Sequence, residues 1–509
     1  MGKNKQLIVN MIASFITFII NLGIGFLFTP YIVSKVGGEA YGFVNLANSM
    51  VNYATIITIA LNSVAGRFIT IKFYQGKKLE ANKYFTSVFL SNVVLSAIII
   101  LIGILFVFRI EFIINIPSNL IVTVKLLFLL IISNFVISII STVFMVSTFI
   151  TNKLYLDSIV NCIASLLRIV LLFSLFGFIN PNIAFVGLAS CICSVVTLFI
   201  YIILTRKLVP SLKLKTYYFD LKIILQLLSS GIWNTITRLS QILSDGLDLL
   251  ISNLWVSTFA MGQLSIAKTI PSLMSSLIST VVSVFSPQLT IYYAKNDIKG
   301  LVEELKLSMK MTSFFSNIPF CFIVIFGDLF FKLWMPSQNI FMLQRLAVLS
   351  IQAVVVSGAI TGLNNVFVVT NNLKINSLFW ICVSFLDVAI VFILLNTTNF
   401  GVYAVAGVST TVGIFANLIF VPLYSCKCLN IEWYTFYPQI FRYTGTTFFM
   451  LGIFCLFKKI IYFPNTWIYL IIIGILSAII GILINFFILL NNSERKYLVN
   501  KIKGKVIRR

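Results

Sequence analysis

Apolar residues fill the chain in long runs that are separated by short polar segments from one end to the other. A helix needs about 20 predominantly apolar residues to cross the hydrocarbon core of a bilayer. On that basis the pattern predicts an all-α polytopic membrane protein with about 14 transmembrane helices. The predicted helices are 7–33, 41–65, 85–108, 120–150, 156–178, 183–204, 229–253, 258–286, 311–331, 341–370, 375–395, 402–424, 443–457 and 467–490.

The hydrophobic pattern repeats, and one constant shift along the sequence aligns the two halves of the chain without a gap. The shift pairs identical residues along six helices: Ala40 with Ala260, Gly42 with Gly262, Ala47 with Ala267, Asn152 with Asn372, Cys162 with Cys382, and Gly187 with Gly407. The constant register predicts two pseudo-symmetric six-helix lobes and two appended helices, with a substrate site between the lobes. The predicted parts are an N-lobe (1–204), a cytoplasmic linker (205–222), a C-lobe (223–425), the appended helices (426–490) and a basic tail (491–509).

Basic residues are distributed unevenly among the predicted loops. With the N-terminus inside, the cytoplasmic loops hold about 27 of the 37 Lys and Arg residues, and the loops on the other side about 7. This asymmetry follows the positive-inside rule and predicts that both termini are cytoplasmic. It also accounts for the formal charge of +23 without a nucleic-acid partner. Lys458 and Lys459 are the exception, because they lie between the last two helices on the other side.

Two of the basic segments are predicted to lie outside the membrane core. Residues 66–84 are partly amphipathic and are expected to run along the lipid headgroups. Residues 295–310 are expected to form a loop after a helix that ends at Pro287.

The seventh predicted helix, 229–253, has a polar face. At about 100° per residue, its polar side chains fall on one side and its aliphatic side chains mostly on the other. Those on the polar side are Trp233, Arg238, Gln241, Asp245 and Asp248. Ionisable groups in a membrane are costly and turn towards a bundle interior or a water-filled path. We therefore interpret this helix as one wall of a polar cavity.

Six charged residues lie within predicted helices, namely Arg168, Arg238, Lys268, Asp245, Asp248 and Asp387. One interpretation is structural: they form buried ion pairs, for example Arg238 with Asp245. The other is functional, because replacing buried ion pairs by apolar packing is often neutral or stabilising. Arginine suits phosphate through its two-pronged guanidinium. On that interpretation Arg168, Arg238 and Lys268 bind pyrophosphate, and the three aspartates balance charge or couple to an ion.

A polar stripe follows the second helix, where Asn45, Asn48 and Asn52 have the spacing of one helical face. Hydrogen bonding between helices explains such a stripe as well as contact with a sugar does. Trp233 and Gln241 are further candidates for sugar contact, although a lipid-facing Trp233 is an equal alternative.

The first hairpin, FTPYIVSKVGGEAYGFVNLANSMVNYATIITIALNSVAGRFITI, and the 6+6+2 helix plan resemble the Wzx-type polysaccharide flippases. These belong to the multidrug/oligosaccharidyl-lipid/polysaccharide (MOP) exporter superfamily, which also contains the MATE transporters. The resemblance implies that a polyprenyl-pyrophosphate-linked oligosaccharide is moved between the leaflets of the bacterial cytoplasmic membrane by alternating access. It implies a groove for the lipid tail at the last two helices, and membrane lipids, a polysaccharide polymerase and chain-length machinery as partners. O-antigen, capsule or exopolysaccharide biosynthesis is the expected pathway.

Alternative functions stay open. A small-molecule antiporter of the same superfamily predicts twelve helices, and a peptidoglycan-precursor flippase predicts arginines in the first helix, which has none. A polymerase or ligase is less favoured, since the chain has no histidine and no long polar loop for catalytic residues. We therefore expect a non-enzyme without a metal or cofactor, with coupling to H⁺ or Na⁺ left open.

Overall fold

The computed structural model describes residues 3–370, 372–460, 464–492 and 494–495 of the 509-residue chain. At a few positions in these ranges, including Asp245, only the backbone is described. The described residues form α-helices joined by short turns, and no strand occurs among them. The predicted all-α class is confirmed.

The first ten helices extend to residue 251. They are α1 (Lys3–Val36), α2 (Gly38–Tyr53), α3 (Thr55–Tyr74), α4 (Lys78–Phe108), α5 (Ile110–Ile113), α6 (Ile121–Ile150), α7 (Tyr155–Phe178), α8 (Ala184–Leu208), α9 (Leu221–Gln241) and α10 (Asp248–Ile251).

Ten more helices follow. They are α11 (Thr258–Ala267), α12 (Thr269–Ala294), α13 (Ile298–Trp334), α14 (Ile340–Ile351), α15 (Val354–Ile360), α16 (Asn364–Val369), α17 (Leu373–Thr397), α18 (Val402–Leu429), α19 (Tyr437–Ile460) and α20 (Trp467–Ile488).

Thirteen stretches of the described chain are helical, long and apolar enough to cross a membrane. The prediction of about 14 differs from this number by the seventh helix, α9, which is not among the thirteen because its polar residues lower its hydropathy. The protein is thus a polytopic helical membrane protein.

By its internal contacts the chain divides into two units, which are 1–266 with 377–388, and 267–376 with 389–509. In the first unit, a core of buried side chains joins α3, α4, α6, α8 and α9, with Leu61, Phe85, Val143, Tyr201 and Leu227 among them. Amide side chains add to it, because Asn62 and Asn92 exchange hydrogen bonds of 3.1 and 2.9 Å between α3 and α4. These unit bounds differ from the predicted lobe bounds, and the lobe division stays a prediction.

The second unit is organised around α13, against which α12, α14, α15, α19 and α20 pack. Asn317 of α13 and Asn485 of α20 exchange hydrogen bonds of 2.8 and 3.0 Å. Tyr443 of α19 hydrogen-bonds with Ser316 at 3.0 Å and donates to the Val354 carbonyl at 2.7 Å. The two appended helices are therefore fixed to this unit by buried polar contacts as well as by apolar packing.

Backbone conformation follows the predicted internal repeat. Gly76, which follows α3, has φ +76°, and Asn296, which follows α12, has φ +56°. The repeat makes these two residues equivalent, and both lie in the left-handed region that favours Gly and Asn. The helices that follow them also begin at equivalent positions, Lys78 and Ile298.

The segment 66–84 is helical at both ends, so its predicted bounds as a separate connection are wrong, and its placement along the lipid headgroups stays a prediction. α3 continues to Tyr74, and α4 starts at Lys78 after a tight turn. The second predicted helix, 41–65, is in turn two helices, α2 and α3, that meet at Ala54. A hydropathy pattern identifies apolar length, and it does not report where a polar helix end or a break between helices lies.

The predicted loop 295–310 is also wrong, since most of it forms the start of α13. Leu301, Leu305 and Met309 recur every four residues and are buried, so this extension of the helix is amphipathic. The preceding helix, α12, continues past Pro287 to Ala294. Membrane helices tolerate proline when neighbouring groups satisfy the freed backbone acceptor.

Lys458, one of the two exceptions to the charge rule, is ion-paired. Its ammonium lies 2.7 Å from the Asp328 carboxylate and donates to the Ile325 carbonyl at 2.6 Å. The pair joins α13 to α19 inside the second unit. Lys458 therefore has a structural partner, and the predicted orientation of the chain stays a prediction.

Candidate functional site

The seventh predicted helix is interrupted where its polar face lies. α9 ends at Gln241 and is followed by a π-helical turn, Ile242–Gly246, then by α10 and a second π-helical turn, Ser252–Val256. Such turns leave some backbone carbonyls without their usual helical partners and often mark functional sites. Here the Tyr53 hydroxyl of α2 donates to the Gly246 carbonyl at 2.6 Å. The continuous helix predicted over 229–253 is therefore wrong in its details.

Arg238 lies on α9 immediately before this interruption and is half-buried. Its Nε donates to the Thr55 hydroxyl at 3.1 Å, and its Nη1 donates to the Gln241 side chain at 3.1 Å. Thr55 is the first residue of α3, after the break at Ala54. The side chain of Asp245, the predicted partner of Arg238, lies outside the described residues, so that pairing stays a prediction.

The asparagine stripe of α2 divides into two kinds of side chain. Asn45 donates to the Ser265 hydroxyl of α11 at 2.6 Å, which is the interhelical bonding that such a stripe also predicts. Asn48 is exposed and donates to the Val44 carbonyl of its own helix at 2.8 Å. Asn52 is also exposed, one turn further along. Asn48 and Asn52 therefore present accessible side chains.

A row of hydroxyl groups joins α9 and the turn after it to α17. Ser384 hydrogen-bonds with the Ser240 hydroxyl at 2.9 Å and with the Ser244 hydroxyl at 2.7 Å, and Thr237 bonds with Ser377 at 2.7 Å. We refer to these five residues as the hydroxyl row. It fixes the register of the two segments.

The two described acidic side chains of the predicted site are buried, Asp248 with 6% and Asp387 with 3% of its surface exposed. Asp387 follows Ser384 by three residues, and Asp248 follows Ser244 by four. The hydroxyl row aligns the two segments. In that alignment Asp248 and Asp387 lie within about one helical turn of the same level, which is roughly 5 Å along the helix axes. Asp245 precedes Asp248 on the same segment.

The remaining predicted residues are placed on separate elements. Arg168 is half-buried on α7 and lies near Cys193 of α8 and Tyr41 of α2. Trp233 is half-buried on α9, and its carbonyl accepts from Thr237 at 3.0 Å. Lys268 belongs to the second unit, where it is the single residue between α11 and α12.

Among the described side chains, hydrogen bonds thus bring together Arg238 and Gln241 of the predicted set. The sequence interpretation missed Thr55, which holds Arg238, and it missed the hydroxyl row. Thr55 lies 183 residues from Arg238 and carries no sequence signal. The hydroxyl row did have a sequence signal, because Thr237, Ser240 and Ser244 recur at the three- and four-residue spacing of one helical face.

A sequence profile of the polysaccharide biosynthesis protein family matches residues 7–293. The chain is also 24% identical, over 97% of its own length and 98% of the other, to "Uncharacterized membrane protein EpsK" of Bacillus subtilis strain 168.

Among solved structures, the fold is similar to "Lipid II flippase MurJ, inward closed conformation". The TM-score is 0.69 at 18% identity, over 93% of this chain and 98% of that one. An inward-facing multidrug resistance MATE family transporter of the MOP superfamily gives a TM-score of 0.61 at 14% identity, over 81% of this chain and 94% of that one. These likenesses confirm the predicted MOP-type fold. Since the profile matches more than half of the sequence, the chain belongs to the polysaccharide biosynthesis protein family, as its first hairpin and helix plan predict.

Proposed function

We propose that this protein is a flippase that moves polyprenyl-pyrophosphate-linked oligosaccharide units from the inner to the outer leaflet of the bacterial cytoplasmic membrane. The units supply a surface polysaccharide such as O-antigen, capsule or exopolysaccharide. The observation that carries the proposal is Arg238, a half-buried guanidinium held by Thr55 and Gln241 beside an interrupted helix. Family membership and the fold shared with a lipid II flippase support a lipid-linked saccharide as substrate.

The pyrophosphate is the part of this substrate that needs the protein most. A charged phosphate group cannot cross an apolar interior without a partner charge. A guanidinium supplies that charge and two parallel N–H donors, and it stays protonated in proteins. In this proposal Arg238 binds the pyrophosphate, with Arg168 and Lys268 as further cationic contacts.

The sugar part needs neutral polar groups. Asn48, Asn52 and Gln241 are exposed amide side chains, which both donate and accept hydrogen bonds. Sugar hydroxyls do the same, so amides exchange readily for water around a saccharide. Trp233 adds an aromatic surface on which a sugar ring can stack.

Coupling to an ion is a further part of the proposal. Asp248 and Asp387 are buried at similar depth, and burial of a carboxylate favours uptake of a cation that neutralises it. We propose that these acids, together with Asp245, bind a proton or Na⁺ during the transport cycle. Transport that is insensitive to both the proton and the sodium gradients would exclude this role.

The test of the main proposal is a deletion strain in which lipid-linked glycans are analysed by leaflet. We expect completed pyrophosphate-linked oligosaccharide to accumulate on the cytoplasmic side and a plasmid copy of the gene to reverse this. Accumulation of lipid II instead would assign the protein to peptidoglycan synthesis. Completed units displayed outside, but not polymerised or transferred, would place the protein at a later enzymatic step and overturn the flippase proposal.

A further inference from the structure

The second unit contains a pocket of about 580 Å³ between α14 and the start of α18. Pockets that bind small ligands typically have volumes of roughly 300–1,000 Å³. Its lining includes Phe341 and Arg345 of α14, Phe400 in the turn before α18, and Tyr403 in the first turn of α18. It is distinct from the predicted site, because none of the residues predicted for transport lines it.

The floor of the pocket is set by close packing of the two helices. The Thr410 hydroxyl donates to the Leu349 carbonyl at 2.7 Å, and a Cβ placed on Gly407 would contact the Leu349 side chain at 3.4 Å. Towards the helix starts the pocket is lined by Phe341, Arg345 and Tyr403. The pocket therefore extends from Leu349 to Phe341, which is about 12 Å along an α-helix.

Arg345 is the charged group of this pocket and is exposed. Its guanidinium carbon lies 3.7 Å from the centre of the Phe341 ring, which is the distance of a stacked pair. A guanidinium stacked on a ring keeps its N–H edge for other partners. The stacking thus orients the donors of Arg345 without using them.

No acidic residue neutralises this arginine from its own helices. The sequence has no Asp or Glu between Asp328 and Asp387, or between Asp387 and Glu432. Asp328 is paired with Lys458 at 2.7 Å. Within the described part of the chain, Arg345 makes no ion pair, so the pocket carries a net positive charge.

The surroundings select the type of anion. Phe341 and Phe400 expose 60% and 58% of their surfaces, and Val348 and Leu349 complete an apolar wall below Arg345. A soluble anion gains nothing from that wall, whereas a lipid can place its acidic headgroup on the arginine and its chain against the aromatic rings. Arg345 lies about 8 Å along α14 from its start. With the helix start at the outer edge of the headgroup region, this distance places Arg345 near the boundary between headgroups and hydrocarbon.

We propose that the pocket around Arg345 binds the phosphate headgroup of an anionic lipid. The pocket lies on the side where α14 and α18 start. Lys374 and Lys427 lie at the other end of the helices, on the side predicted to be cytoplasmic. Under that orientation the bound lipid belongs to the outer leaflet. This binding site does not depend on the transport of a saccharide. Failure of lipid binding therefore leaves the flippase proposal intact, and the reverse also holds.

The test is native mass spectrometry of the full-length protein with dioleoylphosphatidylglycerol as the probe. We expect Arg345→Gln to weaken binding about tenfold or more, because charge-assisted hydrogen bonds are stronger than neutral ones. Lys332→Gln is the matched control: it removes an exposed cation from the same end of this unit, outside the pocket, and leaves binding unchanged. Val348→Trp fills the pocket but keeps Arg345, and we expect it to weaken lipid binding as well. This second variant tests the proposal if the Arg345→Gln protein does not fold.

Three results overturn the proposal. The first is equal phosphatidylglycerol affinity in the wild type, Arg345→Gln and Val348→Trp proteins. The second is displacement of the lipid by inorganic pyrophosphate at equal concentration, which identifies a site for soluble anions. The third is equal affinity for phosphatidylcholine, which shows that the chains bind and the anionic headgroup does not.

Discussion

Gly42 of α2 and Gly262 of α11 are equivalent positions of the internal repeat and are in direct backbone contact. A Cβ placed on Gly42 would lie 2.9 Å from the Cα of Gly262, and one on Gly262 would lie 2.7 Å from the Gly38 carbonyl oxygen. One turn further, Asn45 donates to Ser265, which is again its equivalent in the second half. Residues that the internal repeat makes equivalent therefore meet each other, as residues near a pseudo-twofold axis do.

This contact predicts that Gly42→Ala and Gly262→Ala destabilise the protein. The added methyl group meets backbone atoms, which cannot rotate away, so we expect a loss of roughly 1–3 kcal/mol from overpacking. The midpoint of thermal unfolding in detergent measures it. Gly413→Ala is the control, because a Cβ there has no neighbour within 4 Å. Equal midpoints for the three variants would contradict the close approach of α2 and α11.

Arg238→Ala is expected to abolish surface polysaccharide while the protein inserts at normal levels. The variant removes the guanidinium and its bonds to Thr55 and Gln241, and it leaves the helices around it in place. Immunoblotting of membranes measures insertion, and staining of surface glycan measures transport. Arg109→Ala removes an exposed arginine at a helix end and should transport normally. Normal polysaccharide in the Arg238→Ala strain would remove Arg238 from the proposed site.

The hydroxyl row predicts a modest stabilising role for Ser384. Ser384→Ala leaves Ser240 and Ser244 without this partner, and polar contacts between membrane helices contribute about 0.6–2 kcal/mol. We expect a lower unfolding midpoint than in the wild type. Ser229→Ala removes an exposed hydroxyl that bonds only within its own helix turn, to Gln226, and should leave the midpoint unchanged. A Ser384→Ala protein as stable as Ser229→Ala would argue against the row.

A buried ion pair predicts how the end of the described chain is held. Lys310 of α13 is 4% exposed and contacts both carboxylate oxygens of Glu494, at 2.7 and 2.8 Å. Lys310→Met leaves Glu494 without this cation, so the residues around it should detach and trypsin should cleave after Arg495 about tenfold faster, since cleavage reports local opening.

Two further variants make this prediction specific. Glu494→Gln removes the carboxylate and adds no trypsin site, and it should speed cleavage as Lys310→Met does. Lys299→Met removes an exposed lysine from the same helix and should change nothing. Unchanged cleavage in Lys310→Met would show that the ion pair does not hold this segment.

The sequence predicts the spans well because hydropathy is a property of each segment alone. The breaks in the helices escape such a prediction. The π-helical turn after Gln241 is accompanied by a hydrogen bond from Tyr53, and Ala54 separates two helices in a run that reads as one. Both features depend on contacts between segments far apart in sequence. The hydropathy pattern also placed Lys310 in a loop, whereas it lies in α13. A basic residue in an amphipathic extension of a helix resembles a loop residue when only hydropathy is considered.

The candidate site divides in the same way. Charges within apolar runs, such as Arg238 and Asp387, are visible in the sequence because they violate the local pattern. The neutral residues around them are ordinary. Thr55, which accepts from Arg238, and Ser384, which bonds to Ser240, have no unusual feature until the fold brings distant segments together. Sequence reasoning therefore finds the groups that carry charge and misses the neutral groups that orient them.

The ion pair between Asp328 and Lys458 has a consequence for how the protein is made. The two residues are 130 positions apart, and at typical synthesis rates of about 5–20 residues per second roughly 7–26 s separate their emergence from the ribosome. During that interval α13 is already in the membrane with an unmatched carboxylate at its end. Release of α13 into lipid before α19 arrives would leave that acid at the membrane surface with only water or headgroups as partners. The link between α13 and α19 at this end of the second unit can therefore form only late in synthesis, after most of the chain has been made.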